Sequence, residues 1–330
     1  MINSKKMRLT MFAASMVAAA ALTGCFDDKS ADAGPSSTSF NNGAALGALV
    51  GATCTYASNS GADLISENAP VVTNSLGAAP VNILNLVAGD FPIIISCENG
   101  SYFDEANPGA GLVSNEGNTI QSIIPSAAAL AQVGNNVGVN TLTDMATKLY
   151  KSAAAEDQTV DGAVAAFSEV GRVMMKGFMA NGGALNLLGS STPVTDDAPA
   201  LADDTAGQLA VYLAALAQVA KDMNTIPATT PAALGKLLAD AMTNGTDVNS
   251  VVPLKNGENF VQQLKRAANN YAIANSGSTN LGASVSGQLA GEGGSASKPK
   301  GTGGNDGTGS GGNPSGGTGG VGITGSGGTL

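Results

Sequence analysis

Phe91-Pro92-Ile93-Ile94-Ile95-Ser96-Cys97 is the most strand-like stretch of this 330-residue chain. Its three consecutive isoleucines are β-branched, and β-branched residues are enriched in strands. Because successive side chains of a strand point to opposite faces, Phe91, Ile93, Ile95 and Cys97 share one apolar face. The pattern predicts a strand with one face in a hydrophobic core.

Weaker strand patterns surround this one between residues 44 and 118. In Val50-Gly51-Ala52-Thr53-Cys54-Thr55-Tyr56, apolar and polar side chains alternate, which predicts a half-buried strand. Two shorter β-prone runs, Val71-Val72-Thr73 and Val81-Asn82-Ile83-Leu84, are separated by Gly and Pro. Turn residues recur about every ten positions, which is typical of a small β-sandwich. We therefore predict a β-sandwich domain over residues 44–118.

The start of the chain carries an export signal. A basic stub (Lys5, Lys6, Arg8) precedes an apolar run from Leu9 to Leu22, which is shorter than a membrane-spanning helix requires. Leu22-Thr23-Gly24-Cys25 follows and resembles the lipobox of bacterial lipoproteins. The resemblance implies a signal peptide over residues 1–24 and lipid attachment to Cys25, and therefore an envelope protein anchored by lipid, with the outer membrane as the expected location. An ordinary secretory signal with an incidental cysteine is the alternative.

Two cysteines remain, Cys54 and Cys97, both on predicted apolar strand faces. In an exported chain a leftover pair usually forms a disulfide. A loop of this length makes such a bond worth about 4 kcal/mol in the chain-entropy account. We predict a Cys54–Cys97 disulfide, with two buried free thiols as the alternative.

The rest of the chain divides by composition. Residues 25–43 are small and polar, which predicts a flexible tether. Residues 119–275 become rich in Ala and Leu with a helical period, and helix starts are predicted at Thr141, after Thr159, after Asp204 and after Thr230. A last helix is predicted over residues 258–271. Residues 276–330 are rich in glycine, with 15 among the final 30, which predicts a disordered tail whose removal leaves the melting temperature nearly unchanged.

Several of these segments are similar to one family. Gly51-Ala52-Thr53-Cys54-Thr55-Tyr56, Phe91-Pro92-Ile93-Ile94-Ile95 and Glu98-Asn99-Gly100-Ser101-Tyr102-Phe103-Asp104-Glu105 resemble a module of many bacterial surface lipoproteins. Asn140-Thr141-Leu142-Thr143-Asp144-Met145-Ala146 and Tyr212-Leu213-Ala214-Ala215-Leu216-Ala217-Gln218 resemble segments that follow this module. The resemblance implies an α+β multidomain protein, in which an Ig-like or carboxypeptidase-regulatory-like (transthyretin-like) sandwich precedes an all-α domain. It implies no defined biochemical activity.

Composition excludes several classes of function. The chain has no histidine, which rules out Ser-His-Asp triads, Cys-His pairs and His-ligated metal sites. Residues 1–24 hold three of the 15 basic residues and none of the 25 acidic ones, so the formal charge of −10 becomes −13 after cleavage. An acidic surface repels phosphate backbones, and we expect no binding to nucleic acid.

Acidic clusters offer the remaining chemistry, and each has a simpler explanation. Asp104-Glu105 beside Tyr102 and Asn107 has the oxygens that calcium prefers, but also fits a solvated turn after a strand. The run from Asp240 to Asn249 lacks the Glu and the third-position oxygen ligand of a calcium loop, which favours a helix C-terminus. The pairs Asp196-Asp197 and Asp203-Asp204 fit a loop and a helix start better than a two-carboxylate site.

These observations predict a lipid-anchored envelope protein that is a non-catalytic binding or structural module, with no catalytic residues, metal ligands or cofactor. Expected partners are the membrane, through the lipid, and other envelope proteins or surface polysaccharide. A histidine-free carboxylate hydrolase and an accessory subunit of an export or surface-assembly system are the alternatives. Convergent acids with shifted pKa values in a cleft would favour the hydrolase.

The anchor gives the first testable prediction. Replacing Cys25 by alanine removes the only thiol next to the cleavage site, so Cys25→Ala is expected to abolish metabolic labelling with a radioactive or clickable fatty acid. It should leave a soluble protein or an uncleaved precursor. Cys54→Ala, which keeps the lipobox, serves as the control and should label normally. Normal labelling of the Cys25→Ala variant would contradict the lipoprotein assignment.

Overall fold

The computed structural model describes residues 37–106, 111–175, 183–194, 201–223, 230–276 and 293–299. All of them belong to one compact unit. Residues 1–24, predicted to be a signal peptide, and Cys25, predicted to carry the lipid, lie outside the described residues. The ten strands found in the described part of the chain are β1 (Ser37–Ala45), β2 (Leu49–Val50), β3 (Thr53–Ala57), β4 (Val71–Val72), β5 (Ala78–Leu84), β6 (Ile93–Glu98), β7 (Ser101–Phe103), β8 (Leu112–Ser114), β9 (Thr119–Ile124) and β10 (Asn136–Asn140).

The same described ranges contain seven α-helices, so the fold is of the α+β class. Their bounds are α1 (Ala127–Gln132), α2 (Thr141–Lys151), α3 (Val160–Met174), α4 (Thr205–Asp222), α5 (Pro231–Thr243), α6 (Val248–Val251) and α7 (Phe260–Ser276). Three short 3-10 turns accompany them, at Ala88–Asp90, Ala155–Asp157 and Ala184–Leu188. No helix in the described ranges is both long enough and apolar enough to span a bilayer.

The strands form three small sheets. The orders are β10-β1-β5, β2-β7-β8 and β4-β3-β6-β9, and every pair is antiparallel except β1 with β10, which run parallel. The first and third sheets touch through β1 and β3, where the rings of Phe40 and Tyr56 meet edge to face at 5.9 Å. Asn42, also on β1, donates to Tyr56 Oη at 3.5 Å and to Cys97 Sγ at 3.4 Å. One hydrophobic core therefore runs between these sheets.

The predicted central strand is confirmed as β6. Ile93, Ile95 and Cys97 are fully buried, whereas Ile94 and Ser96 on the other face are half-buried. Cys97 lies directly opposite Cys54 of β3, and the two form the predicted disulfide. The bond therefore crosslinks two neighbouring strands at their buried faces.

The single strand predicted over residues 50–56 is instead two strands, β2 and β3. Gly51 interrupts the ladder with a φ of +73°, a conformation that favours glycine. Its N–H donates to the carbonyl oxygen of Thr73 at 3.0 Å. The break sends β2 to pair with β7 and leaves β3 to pair with β4 and β6.

The sheets extend beyond residues 44–118 in both directions. Residues 37–43, in the range predicted as a flexible tether, form most of β1, and the prediction is wrong there because Phe40 and Asn42 are buried between sheets. The strands β9 and β10 lie inside the range predicted to be helical and pair with β6 and β1. The buried side chains of sheets and helices form one continuous cluster.

The predicted helix starts are confirmed with one change of cap. Thr159, Asp204 and Thr230 are the N-cap residues of α3, α4 and α5, each accepting a backbone N–H through its side chain. The helix α2 begins at Thr141, but its cap is Asn140, which accepts from the N–H groups of Leu142 and Thr143. The final helix, α7, ends five residues later than predicted.

Part of the predicted disordered tail is ordered. Residues 293–299, here called the C-terminal strap, lie against α3 and α6, and the side chains of Ala296 and Pro299 are buried. The hydrogen bonds of the strap are Gly293 N–H to Val173 O (3.1 Å), Gly294 N–H to Asp247 Oδ1 (3.0 Å), Val248 N–H to Gly294 O (3.1 Å), Arg172 Nη2 to Ser295 O (2.8 Å) and Ser297 N–H to Glu169 Oε1 (2.6 Å). The prediction of disorder is therefore wrong for these residues, because backbone groups of the strap bind residues of α3 and α6.

The strap predicts an outcome for truncation that differs from the sequence-based one. A chain ending at residue 300 should keep the melting temperature of the chain with the full tail, whereas one ending at residue 276 should melt a few degrees lower. The reason is that each hydrogen bond of the strap contributes about 1 kcal/mol, which the entropy lost on ordering the strap offsets in part. Hydrogen exchange gives the local readout. The amide of Val248, which donates to Gly294, should exchange faster only in the shorter chain. Equal Val248 exchange in both truncations would contradict the docked strap.

Candidate functional site

A polar cleft of about 410 Å³ lies where α4 and α7 meet the segment that follows β7. This size is within the range of small-molecule sites. Three alanines, Ala106, Ala214 and Ala267, give it a small apolar floor. Its polar lining is Glu105, Gln218, Asp222, Lys255, Arg266, Asn270 and Tyr271.

The helices supply the cleft residues at helical spacing. On α4, Ala214, Gln218 and Asp222 are four residues apart and therefore lie on one face. On α7, Arg266, Ala267, Asn270 and Tyr271 do the same. Small alanines at the contact between the two helices allow a close approach, and the longer side chains at its margin define the walls.

Two hydrogen bonds position the segment of residues 104–106, one from α4 and one within the segment. Lys221 of α4 donates through Nζ to the carbonyl oxygen of Ala106 at 2.7 Å. Asp104 Oδ1 accepts the N–H of Ala106 at 3.0 Å. Glu105 is thereby held with its side chain facing inward, where only 4 % of the residue is exposed.

Glu105 is a buried carboxyl that backbone N–H groups, its own and that of Gly47, engage. Its Oε1 accepts the N–H of Gly47, in the turn between β1 and β2, at 2.6 Å. Gly47 has a φ of +70°, and a Cβ there would overlap the carbonyl oxygen of Phe103, so the turn requires glycine. Burial raises the pKa of Glu105 to about 8. Hydrogen bonds from its own N–H and from the Gly47 N–H oppose this rise, and the negative charge of Asp104 adds to it. The carboxyl is therefore largely protonated at neutral pH.

Charged residues of both signs line the opposite side of the cleft. Asp222 Oδ1 accepts a hydrogen bond from Gln218 Nε2 at 2.9 Å. Its Oδ2 forms an ion pair with Lys255 Nζ at 3.1 Å. Arg266 Nε donates to Glu258 Oε2 at 2.8 Å, behind the lining. Both Asp222 oxygens are thus engaged by protein donors.

Tyr271 of α7 lies near Glu105. Burial raises the pKa of its hydroxyl, and the negative charge of Glu105 contributes in the same direction. Burial likewise raises the pKa of Tyr102 to about 12, with Asp104 and Glu105 adding to the effect. Both phenols are therefore neutral hydroxyl groups across the physiological pH range.

A second cavity, of about 370 Å³, is mainly apolar and lies beside β3. It is enclosed between this strand and residues 63–71, and Leu64, Ile65 and Pro70 are among its lining. The buried Cys54 and Tyr56 form its inner wall. It gathers fewer ionisable groups than the polar cleft.

The structure separates the acidic clusters that the sequence offered. Glu105 faces the cleft, while Asp104 accepts the backbone N–H of Ala106. No group of three or more His, Cys, Asp or Glu side chains suited to a metal ion occurs among the described residues. Asp203-Asp204 marks the start of α4, and the run after Asp240 contains the end of α5, as expected. The short helix α6 that follows was not predicted. Asp196-Asp197 lies outside the described residues.

Sequence reasoning did not identify the cleft. Its lining comes from four separate segments, around residues 105, 218, 255 and 266, which share no motif or spacing. The one available signal was Glu105, an acid that follows a strand with an apolar face.

Glu105 generates a prediction about pH and stability. Since the carboxyl is protonated up to about pH 8 in the folded protein but only to about pH 4.5 in the unfolded chain, the folded state binds more protons between these values, and the free energy of unfolding falls as pH rises through this window. The largest loss is roughly 5 kcal/mol, at about 1.4 kcal/mol per pKa unit. Glu105→Gln keeps an acceptor for Gly47 and cannot ionise, so its stability should exceed that of the wild type at pH 8.5 but not at pH 4.5.

Urea unfolding at both pH values measures this difference. Glu116→Gln, at an exposed position, is the matched control and should leave the pH dependence as it is in the wild type. Parallel pH profiles for the wild type and Glu105→Gln would contradict a buried neutral carboxyl.

The chain was also compared with known proteins. No family model, no curated protein and no solved structure matches it.

Proposed function

We propose that the protein is a lipid-anchored protein of the cell envelope, held in the outer membrane through Cys25, and that it is a non-catalytic module which binds a small polar ligand in the polar cleft. The anchor follows from the lipobox-like sequence, and the charge of −13 after cleavage favours partners other than nucleic acid. An envelope protein or a surface polysaccharide is the proposed source of the ligand.

The state of the cleft's acids is the observation that carries this proposal. Both oxygens of Asp222 are engaged, by Gln218 and Lys255, and Glu105 is buried, protonated and bound to Gly47. Neither carboxylate is arranged to activate water. The lining instead presents hydrogen-bond donors, and a few polar groups converging above an apolar floor are typical of a binding pocket.

The carboxylate hydrolase is the second candidate, and the raised pKa of Glu105 is the observation that favours it. A glycosidase-type mechanism pairs such an acid with a second, ionised carboxylate. Asp222 is the other acid of the cleft, but its ion pair with Lys255 would have to open before it could act. Binding requires no such rearrangement, so we place it first.

For the fold we propose a two-layered β-sandwich of the Ig-like or transthyretin-like kind, with β10-β1-β5 as one layer and β4-β3-β6-β9 as the other. The contact between Phe40 and Tyr56 and the hydrogen bonds of Asn42 support the layering. The parallel pairing of β1 with β10 joins this sandwich to the helices.

Filling the cleft tests the proposed function. Ala106 is half-buried at the cleft floor, so Ala106→Leu should reduce the cleft volume with little effect on folding. Native mass spectrometry of protein released gently from envelope fractions should detect a small molecule retained by the wild type and lost from this variant. Ala131→Leu, at an exposed site on α1, is the control and should retain it.

Two results would count against binding. Equal mass spectra for the wild type and Ala106→Leu would contradict the cleft as the binding site. Turnover of a glycoside or ester panel that is abolished by both Glu105→Gln and Asp222→Asn would favour the hydrolase instead.

A further inference from the structure

Arg266 is a cleft residue with hydrogen-bonding capacity to spare. Its Nε donates to Glu258 Oε2, which fixes the position of the guanidinium, and it makes no other hydrogen bond within the described part of the chain. Its side chain is 38 % exposed and therefore accessible. The terminal amino groups of a guanidinium match the two oxygens of a carboxylate.

Lys255 provides a second cation on the same wall. It pairs with Asp222, yet 40 % of its side chain is exposed, so its ammonium group has room for a further acceptor. The acids of the lining are Glu105 and Asp222, and both oxygens of Asp222 are already engaged by Gln218 and Lys255. Glu258 lies behind Arg266 and outside the lining. The surface that a ligand meets thus offers two cationic donors, each of which already has one carboxylate partner.

We propose that the polar cleft binds a small hydroxylated carboxylate of the uronic-acid type, with the ligand carboxylate on Arg266 and Lys255 and its hydroxyl groups near Asn270 and Tyr271. This inference rests on the proposed binding function and names the class of its ligand. The alanine floor accommodates the C–H face of a sugar ring, and the cleft volume of about 410 Å³ suits one small ligand. A monoanion is favoured over a dianion because Asp222 and Glu258 already offset much of the positive charge.

Protonation of Glu105 should control this affinity. At neutral pH its carboxyl is uncharged and does not repel an anion, whereas above about pH 8 it becomes a negative charge at the cleft. The charged and titratable groups around it are Asp104 on its own segment, Tyr102 on β7, Lys221 and Asp222 on α4, Lys255 before α7, and Arg266 and Tyr271 on α7. Burial moves the pKa of both phenols further above the range from pH 6.5 to 9, whereas the pKa of Glu105, at about 8, lies within it, so the pH dependence should follow Glu105.

Calorimetric titration of the mature protein with matched sugars tests the ligand class. Galacturonate should bind at least about tenfold more tightly than galactose at pH 6.5, since a charge-assisted hydrogen bond is worth about a factor of ten or more. Lys255→Gln and Arg266→Lys should each weaken galacturonate about tenfold. Lys236→Gln removes a lysine with a similar Asp partner on the exposed face of α5 and should change affinity less than twofold.

The pH dependence gives a second readout. Galacturonate affinity should fall severalfold between pH 6.5 and 9 in the wild type and stay constant in Glu105→Gln. Far-UV circular dichroism of each variant excludes loss of fold as the cause.

These experiments test the carboxylate ligand separately from the proposed binding function of the cleft. Three results would overturn the carboxylate class: equal binding of galactose and galacturonate, tighter binding of galactosamine, or tighter binding of galactose 1-phosphate. If Ala106→Leu abolishes that binding, the cleft remains a binding site. Absence of galacturonate binding at millimolar concentration would also overturn the inference. The native mass spectra of the Ala106→Leu variant decide the proposed function independently.

Discussion

The strand β9 is the edge of its sheet, and the first turn of α2 covers that edge. This contact joins the sheets to the helices. The N–H of Gln121 donates to Asp144 Oδ1 at 3.1 Å, and its carbonyl oxygen accepts from Thr143 Oγ1 at 2.9 Å. An edge strand with unpaired backbone groups is otherwise a site for aggregation. An ion pair between Lys148 Nζ and Asp144 Oδ2, at 2.6 Å, keeps this carboxylate in place. Burial raises the pKa of Asp144, and the nearby Lys148 opposes this effect. The first turn of α2 thus takes the place of a fifth strand.

The cleft follows from this junction. With α2 fixed on β9, α3 and α5 pack on α2, and α4 packs on α5 and α7. The third sheet meanwhile holds β6 through the Cys54–Cys97 bond, while β7 carries Glu105 towards α4. The cleft is the place where the end of a short sheet meets two helices whose contact residues are alanines. Its polar lining comes from side chains too long to pack in that contact.

Local signals in the sequence predicted the elements better than their assembly. The alternation around Ile93 and Ile95 and the caps at Thr159, Asp204 and Thr230 depend on neighbouring residues alone, and these predictions are confirmed. The strand β1 escaped prediction because Asn41 and Asn42 read as turn residues, although Asn42 is buried and bound to Tyr56 across the core. The strap escaped prediction for a similar reason. Its glycines bind through backbone groups, which composition does not reveal, and the cleft depends on contacts between residues more than a hundred positions apart.

Glu105 is the residue that the fold alone explains least. A glutamine would accept the same hydrogen bond from Gly47 and would avoid the loss of stability that a buried acid incurs as pH rises above 4.5. A buried ionisable group with a shifted pKa in a cleft is a mark of functional sites, although structural networks also produce such shifts. Here the structural network is small, because Gly47 is the only described hydrogen-bond donor to that side chain from another segment. What a carboxyl adds over an amide is a charge that changes with pH, placed against a wall of cationic donors. Besides lowering the stability at high pH, this charge acts on any charged ligand in the cleft, which supports the proposed anionic ligand.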